Sequence, residues 1–414
     1  MFMPVPQHSN ETGAVPWKHV ALLAMLGFAS TFATAIVFPN IGSFIRDRFV
    51  LSDTQASLFA VSYLIPHVVF AFIWGAWSDR IGRRSTLLVF GYVMTAVFHF
   101  SLPFIHSYPL LLLVRFGEGA FSILGFSMVM TIAADLARKG NYGRIMGAMG
   151  ASIAIANTLA FPIGGAIGAE SMVALTAFGA VILLICALFA HRYIREGEFG
   201  SARSLREALL VLRRKPALSI PYAFTFIDRF TVGFFAVTFP LYAGAVHGMD
   251  AAASGAVLAG YLLPFSLLTY PFGRLSDRYG GIRLLLAGSA FYGVSVMFVG
   301  LVPASWFLPV MIVSGVFAAF MYAPSLWMVA SFAPAEMRAS AMGGFNAAGS
   351  LGFAVGPIAG ALISDLAGYA AAFITAGVAE LFCVFVLFPL AARRLLPNWR
   401  EGEQARAVSP LLPD

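Results

Sequence analysis

Five ionisable side chains stand inside long apolar runs of this sequence. Arg115 and Glu118 share one run, Asp228 and Arg229 share another, and Glu380 lies in a third. A charge at the centre of a lipid bilayer costs about 2.5–3.5 kcal/mol or more, so such residues face a partner or a water-filled cavity. Burial also favours the neutral form of a carboxyl group, which lets it take up a proton on one side and release it on the other. These residue types therefore predict proton or ion movement.

The spacing of these residues favours two of them as proton carriers. Arg115 and Glu118 are three residues apart, so on a helix they share a face and can pair. Asp228 lies about ten residues into its run, about 15 Å from the end of a helix and near the midplane. Arg229 projects about 100° away from Asp228. We expect Glu118 or Asp228 to carry the proton, with Arg115 tuning Glu118. The alternative is a structural Arg115–Glu118 pair and an Asp228 that pairs with a basic group elsewhere.

The remaining polar residues offer little other chemistry. His67 stands beside a proline in the second apolar run and could relay protons, as could His99 in the third, although a hydrogen-bonded packing role is the alternative for both. The sequence contains no phosphate-binding G-x-x-x-x-G-K-S/T loop, no H-E-x-x-H pair and no Cys/His set with metal spacing. We therefore expect no cofactor, no metal site and no enzymatic activity, with a proton gradient as the driving force.

The elements that must position these charges are membrane-spanning helices. Hydrophobic residues make up 60% of the 414 residues and charged residues only 11%, which a water-exposed surface could not accommodate. Runs of about 20 apolar residues, the length that crosses the hydrocarbon, occur twelve times. They cover residues 18–45, 54–77, 85–106, 109–136, 145–167, 171–193, 217–246, 251–275, 282–302, 306–332, 338–364 and 369–394.

The basic residues predict how these helices are oriented. Of the 26 Lys and Arg residues, all except Arg46, Arg48, Arg115 and Arg229 fall on one side if the chain is threaded through twelve spans. Lys and Arg are retained on the cytoplasmic side. We therefore expect both termini in the cytoplasm and a multi-pass protein of the cytoplasmic (inner) membrane. The net charge of +7 suits this orientation better than nucleic-acid binding.

The two halves of the sequence repeat each other. Gly75 to Arg84 reads Gly-Ala-Trp-Ser-Asp-Arg-Ile-Gly-Arg-Arg after the second run, and a related Gly-Arg-Leu-Ser-Asp-Arg-Tyr-Gly begins at Gly273 after the eighth. Two parallel six-helix repeats around an axis normal to the membrane are a known transporter architecture.

With this loop the sequence resembles the major facilitator superfamily, over essentially its whole length. The first copy matches the family's G-x-x-x-D-R-x-G-R-R pattern in full, and the second departs from it at Gly281 and Ile282. The resemblance implies an all-α polytopic membrane protein with twelve transmembrane helices in two pseudo-symmetric six-helix bundles. It also implies a gate built from Gly75, Asp79, Arg80, Gly82, Arg83, Arg84, Asp135, Asp277 and Arg278.

The resemblance gives these gate residues definite roles. The Asp79 carboxylate would cap the positive N-terminus of helix eleven when the inner gate is shut. Arg83 would then reach Asp135 at the inner end of helix four. Such pairs form in one state and break in the other, so they act as a latch. The alternative is that these charges only fix the topology.

Other family patterns are only partly matched. Arg115-Phe-Gly-Glu-Gly resembles the fourth-helix R-x-x-Q-G pattern, with Glu in place of Gln. The family's antiporter pattern on the fifth helix, G-P-x-x-G-G, is present here without its first Gly. The eleventh helix carries a closer copy of the same pattern. The resulting helix-bend motif comprises Pro162, Gly164, Gly165, Gly356, Pro357 and Gly360. Because helices one, four, seven and ten line the family's cavity, Glu118, Arg115 and Asp228 are the expected binding constellation, while Glu380 on peripheral helix twelve is expected to be structural.

Together these observations predict an organisation and a function. We expect a cytoplasmic tail at 1–16, a six-helix bundle at 17–193, a cytoplasmic loop at 194–216, a second bundle at 217–394 and a tail at 395–414. The predicted function is proton-coupled efflux of a small amphipathic or lipophilic solute by a monomer that contacts lipid and no nucleic acid. The alternatives are uptake of a small organic anion (an organic acid, sugar acid or siderophore), translocation of a lipid or lysolipid, and a non-transporting sensor.

Overall fold

The apolar runs fold as helices, because lipid offers no hydrogen-bonding partner to a backbone N–H or C=O group. The computed structural model describes residues 17–81, 83–136, 142–194, 212–333 and 338–395. Within these residues the chain forms twelve long helical stretches and no strand. The stretches are α1 (Trp17–Ala35), α2 (Asp53–Ile81), α3 (Arg84–Ser101), α4 (Tyr108–Asp135), α5 (Tyr142–Glu170), α6 (Met172–Tyr193), α7 (Ser219–Gly233, continued to His247), α8 (Ala251–Tyr279), α9 (Gly281–Val299), α10 (Phe307–Phe332), α11 (Arg338–Ala367) and α12 (Tyr369–Phe382, continued to Leu395).

Eleven of the described helical stretches are long and apolar enough to cross a membrane. The twelfth stretch, α2, has 29 residues, which give a length of about 44 Å, and several of its side chains lie outside the described part of the chain. The predicted all-α, twelve-helix class is confirmed. The predicted tails at 1–16 and 395–414 and most of the predicted loop at 194–216 lie outside the described residues, so their structure stays a prediction.

Three of the described stretches contain a π-helical segment or are followed by one. α1 is followed by a 3-10 turn (Phe38–Asn40) and a π-helical segment (Ile41–Asp47). α7 contains a π segment at Phe234–Thr238 before it continues as Phe239–His247, and α12 contains one at Cys383–Leu387 before Phe388–Leu395. Such π turns interrupt the regular i→i−4 hydrogen bonds and occur often at functional sites.

The described chain divides into two compact units. One contains the described residues up to 194 together with Phe239–Ala259, and the other contains those from 212 to Thr238 together with the residues from Gly260 onward. The end of α7 and the beginning of α8 therefore belong with the first unit.

Helix packing within each unit follows the internal sequence repeat. In the first unit α1 packs on α5, and α3 packs on both α4 and α6. In the second unit α7 packs on α11, and α9 packs on both α10 and α12. The pairs correspond one to one at a separation of six helices, as a duplicated six-helix unit requires.

Large apolar side chains are exposed along many of these helices. Examples are Leu113, Leu188, Leu267 and Phe385, which are each more than 60% exposed. Scattered exposed leucines occur in any protein, but rows of them on helices that are themselves apolar require a lipid solvent.

Candidate functional site

Three buried ionisable side chains meet in the first unit, where α4 packs on α3. Arg115 Nη1 donates a hydrogen bond to Glu118 Oε2 (2.6 Å), and His99 Nδ1 lies 2.8 Å from Glu118 Oε1. All three side chains are fully buried. Both carboxylate oxygens of Glu118 are therefore engaged, one by a guanidinium and one by an imidazole, which compensates much of the cost of burying its charge.

Aromatic rings surround the guanidinium of Arg115. Its Cζ lies 4.3 Å from the ring centroid of Tyr63, 4.7 Å from that of Phe59 and 5.8 Å from that of Phe38, which are cation–π distances. The Nε and Nη2 atoms are buried and have no hydrogen-bond partner among the described residues. This guanidinium can therefore donate to a further group, such as a water molecule or an anion.

His67 lies one helical turn from this cluster and does not bond to it. Its Nδ1 is 2.8 Å from the carbonyl oxygen of Tyr63, four residues earlier on α2. The Tyr63 hydroxyl in turn lies 2.8 Å from Ser122 Oγ on α4. His67 is thus bonded to its own helix, and its ring centroid lies 4.6 Å from that of Tyr63, the residue whose ring contacts Arg115.

A second cluster of charges forms in the other unit, on α7, where Asp228 is buried and Arg229 is partly exposed. Asp228 is 1% exposed, and neither of its carboxylate oxygens has a hydrogen-bond partner in the described part of the chain. Arg229 Nε lies 3.8 Å from Asp228 Oδ2, which is an ion-pair distance too long for a hydrogen bond. The Cζ atom of Arg229 also lies 4.6 Å from the ring centroid of Tyr322.

Glu380 on α12 extends this second cluster. It is fully buried, accepts a hydrogen bond from Ser289 Oγ (2.7 Å) and accepts another from Thr231 Oγ1 (3.3 Å). Thr231 follows Asp228 by three residues on the same face of α7. Thr231 therefore connects Glu380 to the face of α7 that carries Asp228.

Sequence reasoning did not connect His99, Ser289 and Thr231 with these clusters. A signal for His99 was available, since a histidine inside an apolar run is expensive unless it has a partner. For the two hydroxyl residues there was none, because Ser and Thr commonly bond to their own helix backbone.

The predicted helix-bend motif of α5 makes close contacts within the first unit. A Cβ atom on Gly164 would collide with the carbonyl oxygen of Ile36, and one on Gly165 would collide with that of Ala251. Gly255 of α8 likewise faces the carbonyl oxygen of Phe161. These glycines allow backbones to approach as closely as small residues permit in membrane helices. Pro162 lies beside them, within α5.

The counterpart on α11 packs against α7. Gly352, Gly356 and Gly360 are four residues apart, so they form one stripe on the helix. A Cβ atom on Gly356 would meet the carbonyl oxygen of Phe230, and Pro357 lies against Gly233 of α7. The charged segment of α7 is thereby held closely against α11.

The gate residues predicted from the loop motif are only partly described. Gly82 and the side chains of Asp79, Arg80, Asp135 and Asp277 lie outside the described part, as does that of Arg338. Gly75 belongs to α2, and nothing further is described of it. Arg83 and Arg278 are exposed, whereas Arg84, at the start of α3, is 2% exposed. The latch stays a prediction.

A cavity of about 440 Å³ opens in the first unit where α1, α5, α7 and α8 end or begin. Arg46 and Arg48, the two basic residues expected outside the cytoplasm, line it together with Asp250. Arg46 Nη1 lies 3.4 Å from Asp53 Oδ1, and the guanidinium of Arg48 lies 5.2 Å from the ring centroid of Phe44. These arginines thus have local contacts within their own segment.

Sequence comparison finds the same family twice along the chain. The model of the Major Facilitator Superfamily matches residues 23–227 and again residues 221–413. An uncharacterized MFS-type transporter of Methanocaldococcus jannaschii is 34% identical over 145 residues, which are 35% of this chain and 37% of that protein.

Two further relatives match most of the chain. The hexuronate transporter of Bacillus subtilis is 24% identical over 87% of this chain and 90% of its own length. Multidrug resistance protein MdtG of Dickeya zeae is 25% identical over 89% of this chain and 94% of its own. Among solved structures, a bacterial homologue of the human lysosomal transporter Spinster superposes with a TM-score of 0.75 at 12% identity, over 94% of this chain and 99% of that one. This last likeness concerns the fold alone.

Proposed function

We propose that this chain, which belongs to the major facilitator superfamily, exports a small amphipathic or lipophilic solute in exchange for protons. The chain is a multi-pass membrane transporter and not an enzyme. The unpartnered carboxylate of Asp228 carries the proposal, because it is the buried acid best suited to gain and lose a proton.

The proton step follows from the different surroundings of the two candidate acids. Glu118 has a hydrogen-bond partner on each oxygen, which holds it in its charged form. Asp228 has only the distant guanidinium of Arg229, at 3.8 Å. A buried carboxylate without donors is costly when ionised and is relieved by a proton. Asp228 is therefore the proposed carrier, and Glu118 with Arg115 and His99 fixes α4.

The solute class is supported by the aromatic surroundings of the charged clusters. Half-buried rings surround the guanidinium of Arg229, the neighbour of Asp228 on α7: its Cζ lies 4.6 Å from the ring centroid of Tyr322 and 5.9 Å from that of Phe265. Aromatic rings present large apolar faces to a ligand. The name of the MdtG relative, a multidrug resistance protein, agrees with a lipophilic cargo.

Orientation and gating complete the proposal. Both termini are cytoplasmic and the membrane is the cytoplasmic (inner) one, because Lys and Arg lie predominantly on that side. The loop from Gly75 to Arg84 acts as the inner latch through Asp79 and Arg83, working with Asp135. The protein functions as a monomer.

The decisive experiment is proton movement in proteoliposomes that enclose a pH-sensitive dye. Lipophilic cations, organic anions and lysolipids are added in turn to wild type, to Asp228→Asn and to Glu170→Gln, a matched change at an exposed carboxylate. We expect a lipophilic cation to drive proton flux in wild type and Glu170→Gln, and at least tenfold less in Asp228→Asn. Full flux in Asp228→Asn, or none in wild type with any compound, contradicts the proposal.

Uptake of a small organic anion is the second candidate, favoured by one observation. Arg115 keeps two buried donor atoms without partners among the described residues, and a guanidinium is suited to bidentate binding of a carboxylate. The name of the hexuronate transporter relative agrees with it. If organic anions alone drive flux, and Arg115→Gln abolishes it while Arg48→Gln does not, this candidate replaces the first.

Lysolipid translocation is read from the same panel. Proton flux driven only by lysolipids would support this third candidate. Lysolipid translocation itself requires no proton carrier at Asp228. Silence across the whole panel would favour a uniporter or a non-transporting sensor.

A further inference from the structure

Glu380 is a fully buried acid that the proposed function does not use. Its Oε2 accepts a hydrogen bond from Ser289 Oγ on α9 (2.7 Å), and its Oε1 lies 3.3 Å from Thr231 Oγ1 on α7. None of the ion pairs among the described residues includes Glu380. An ionised Glu380 would therefore be buried with uncharged hydroxyl groups as its described partners, and a buried charge without a counter-charge is costly.

The hydroxyl group of Thr231 faces two oxygen atoms. It lies 3.0 Å from the carbonyl oxygen of Ile227, four residues earlier on α7, and 3.3 Å from Glu380 Oε1. A threonine hydroxyl has a single hydrogen, and a bond to the carbonyl four residues earlier is a common one on a helix. When that shorter bond is made, Thr231 has no hydrogen left to donate to Glu380.

One proton on Glu380 gives every hydrogen in this group an acceptor. A protonated Oε1 donates to Thr231 Oγ1, which reverses the direction of that bond, and the Thr231 hydroxyl then donates to the carbonyl oxygen of Ile227. Ser289 Oγ still donates to Oε2. A carboxylic acid has one donor beside its acceptor oxygens, and a hydroxyl both donates and accepts. Buried polar networks are stabilising when every member is satisfied in this way.

We propose that Glu380 is a proton-binding site separate from Asp228, and that its carboxyl hydrogen positions the charged segment of α7. The chain of hydrogen bonds runs from Glu380 through Thr231 to the carbonyl group of Ile227, whose peptide bond continues into Asp228. Glu380 is thus a positioning residue, which keeps its proton while Asp228 exchanges its own. The inference rests on the proposed proton-coupled function and adds a residue to it.

Close packing on α9 fixes the place of Glu380. A Cβ atom on Gly293 of α9 would lie 2.9 Å from both the Cβ atom of Glu380 and the carbonyl oxygen of Gly377. The two helices therefore approach too closely for a side chain at Gly293. Ser289, which donates to Glu380, is one turn earlier on the same face of α9. α12 thus presents its acid to α7 from a fixed position.

Ionisable groups on the turns around Glu380 do not supply a counter-charge. Among the described residues there, the cation is Arg229, whose Nε lies 3.8 Å from Asp228 Oδ2. α11, which also packs on α12, has no ionisable residue between Arg338 and Asp365. Phenol and thiol groups are ordinarily neutral at neutral pH. The described groups of that kind on α8, α9 and α12 are Tyr261, Tyr292 and Cys383.

Infrared absorption at neutral pH, recorded on the purified protein in lipid, shows whether Glu380 is protonated. We expect a protonated-carboxyl band that disappears in Glu380→Gln and stays in Asp228→Asn. In Thr231→Val this band should stay but shift, because the carboxyl O–H has lost its acceptor. The matched control is Thr176→Val, which removes an equally buried hydroxyl that bonds to its own helix and should leave the band unchanged.

Two infrared results would overturn the proposal. If wild type and Glu380→Gln have the same protonated-carboxyl absorption, Glu380 is ionised and binds no proton. If Thr231→Val leaves the band where it is, the hydrogen is not donated to Thr231. Failure of Glu380→Gln to fold would also contradict the proposal, because glutamine can replace a neutral acid here. Its carbonyl oxygen can accept from Ser289 and its NH₂ group can donate to Thr231.

Rescue by glutamine is the second measurement, made as proton flux in proteoliposomes. We expect flux close to that of wild type in Glu380→Gln, and severalfold lower flux in Glu380→Leu, which can neither donate nor accept. Flux in Glu380→Gln as low as in Glu380→Leu would mean that the proton on Glu380 must leave during transport, and the positioning role would fail.

The outcomes separate this inference from the proposed function. If no solute moves protons in wild type, but the band disappears in Glu380→Gln and shifts in Thr231→Val, the proton site stands and the proposed function fails. If flux depends on Asp228 while Glu380→Gln leaves the infrared spectrum unchanged, the proposed function stands and the proton site fails.

Discussion

The Arg115–Glu118 pair offers a sharp test of how buried charges hold this protein together. Removing one partner leaves the other charged and buried, which costs about 3–5 kcal/mol in comparable pairs. We therefore expect Arg115→Met and Glu118→Leu each to lower the free energy of unfolding by about that amount. If the two effects were independent, the double variant would lose about 6–10 kcal/mol.

The double variant is expected to be more stable than either single variant. It removes both charges together and leaves only His99 Nδ1 without its carboxylate partner, a loss of about 1–3 kcal/mol. The coupling free energy between the two positions is therefore at least about 3 kcal/mol. The pair is suited to a double-mutant cycle because both side chains are completely buried and Arg115 Nη1 lies 2.6 Å from Glu118 Oε2.

Reversible denaturation in mixed detergent and lipid micelles measures the four free energies of unfolding. Where unfolding is irreversible, rates of thermal inactivation at one temperature give the same ranking. Additive destabilisation, with the double variant at the sum of the singles, would refute the reasoning, because it would mean that the two charges do not compensate each other in the folded protein.

Two further predictions concern glycines at helix contacts, and both use Gly150→Val as control because nothing lies within 4 Å of a Cβ atom there. Gly165→Val collides with the backbone of Ala251, so this substitution should separate α5 from α8. A cysteine introduced by Ala251→Cys should then react severalfold faster with a membrane-impermeant thiol reagent. An unchanged labelling rate would contradict the contact. Gly356→Val collides with the carbonyl oxygen of Phe230 on α7, and overpacking of this kind costs about 1–3 kcal/mol. We expect a lower melting temperature in the membrane extract, and a melting temperature equal to that of the control would count against it.

Much of the fold was predictable because its causes are local in sequence. A run of about 20 apolar residues must form a helix in lipid whatever its neighbours are. Ends were harder to predict. The second helix was expected at 54–77 and extends to Ile81, and the seventh contains a π segment at Phe234–Thr238 that hydropathy does not reveal.

The candidate site was predictable only in part. The free-energy cost of a charge inside a membrane identified Arg115, Glu118, Asp228 and Arg229 as candidates. The i,i+3 spacing predicted the contact between Arg115 and Glu118. Glu380 was assigned a structural role because its helix is peripheral in the family. Its hydrogen-bond donor on α7, Thr231, is 149 positions away in the chain, and spacing along one helix carries no information about such a partner.

The sequence alone determined that this protein spans a membrane with duplicated halves, since hydropathy, the positive-inside rule and the repeated loop are all properties of contiguous residues. Tertiary structure decided which partner each buried charge receives. Glu118 is bonded by His99, 19 residues away on α3, and Glu380 by Ser289, 91 residues away on α9. The packing of the helices side by side brings these partners together, and it decides which buried carboxylate is compensated by a cation and which has no hydrogen-bond partner among the described residues.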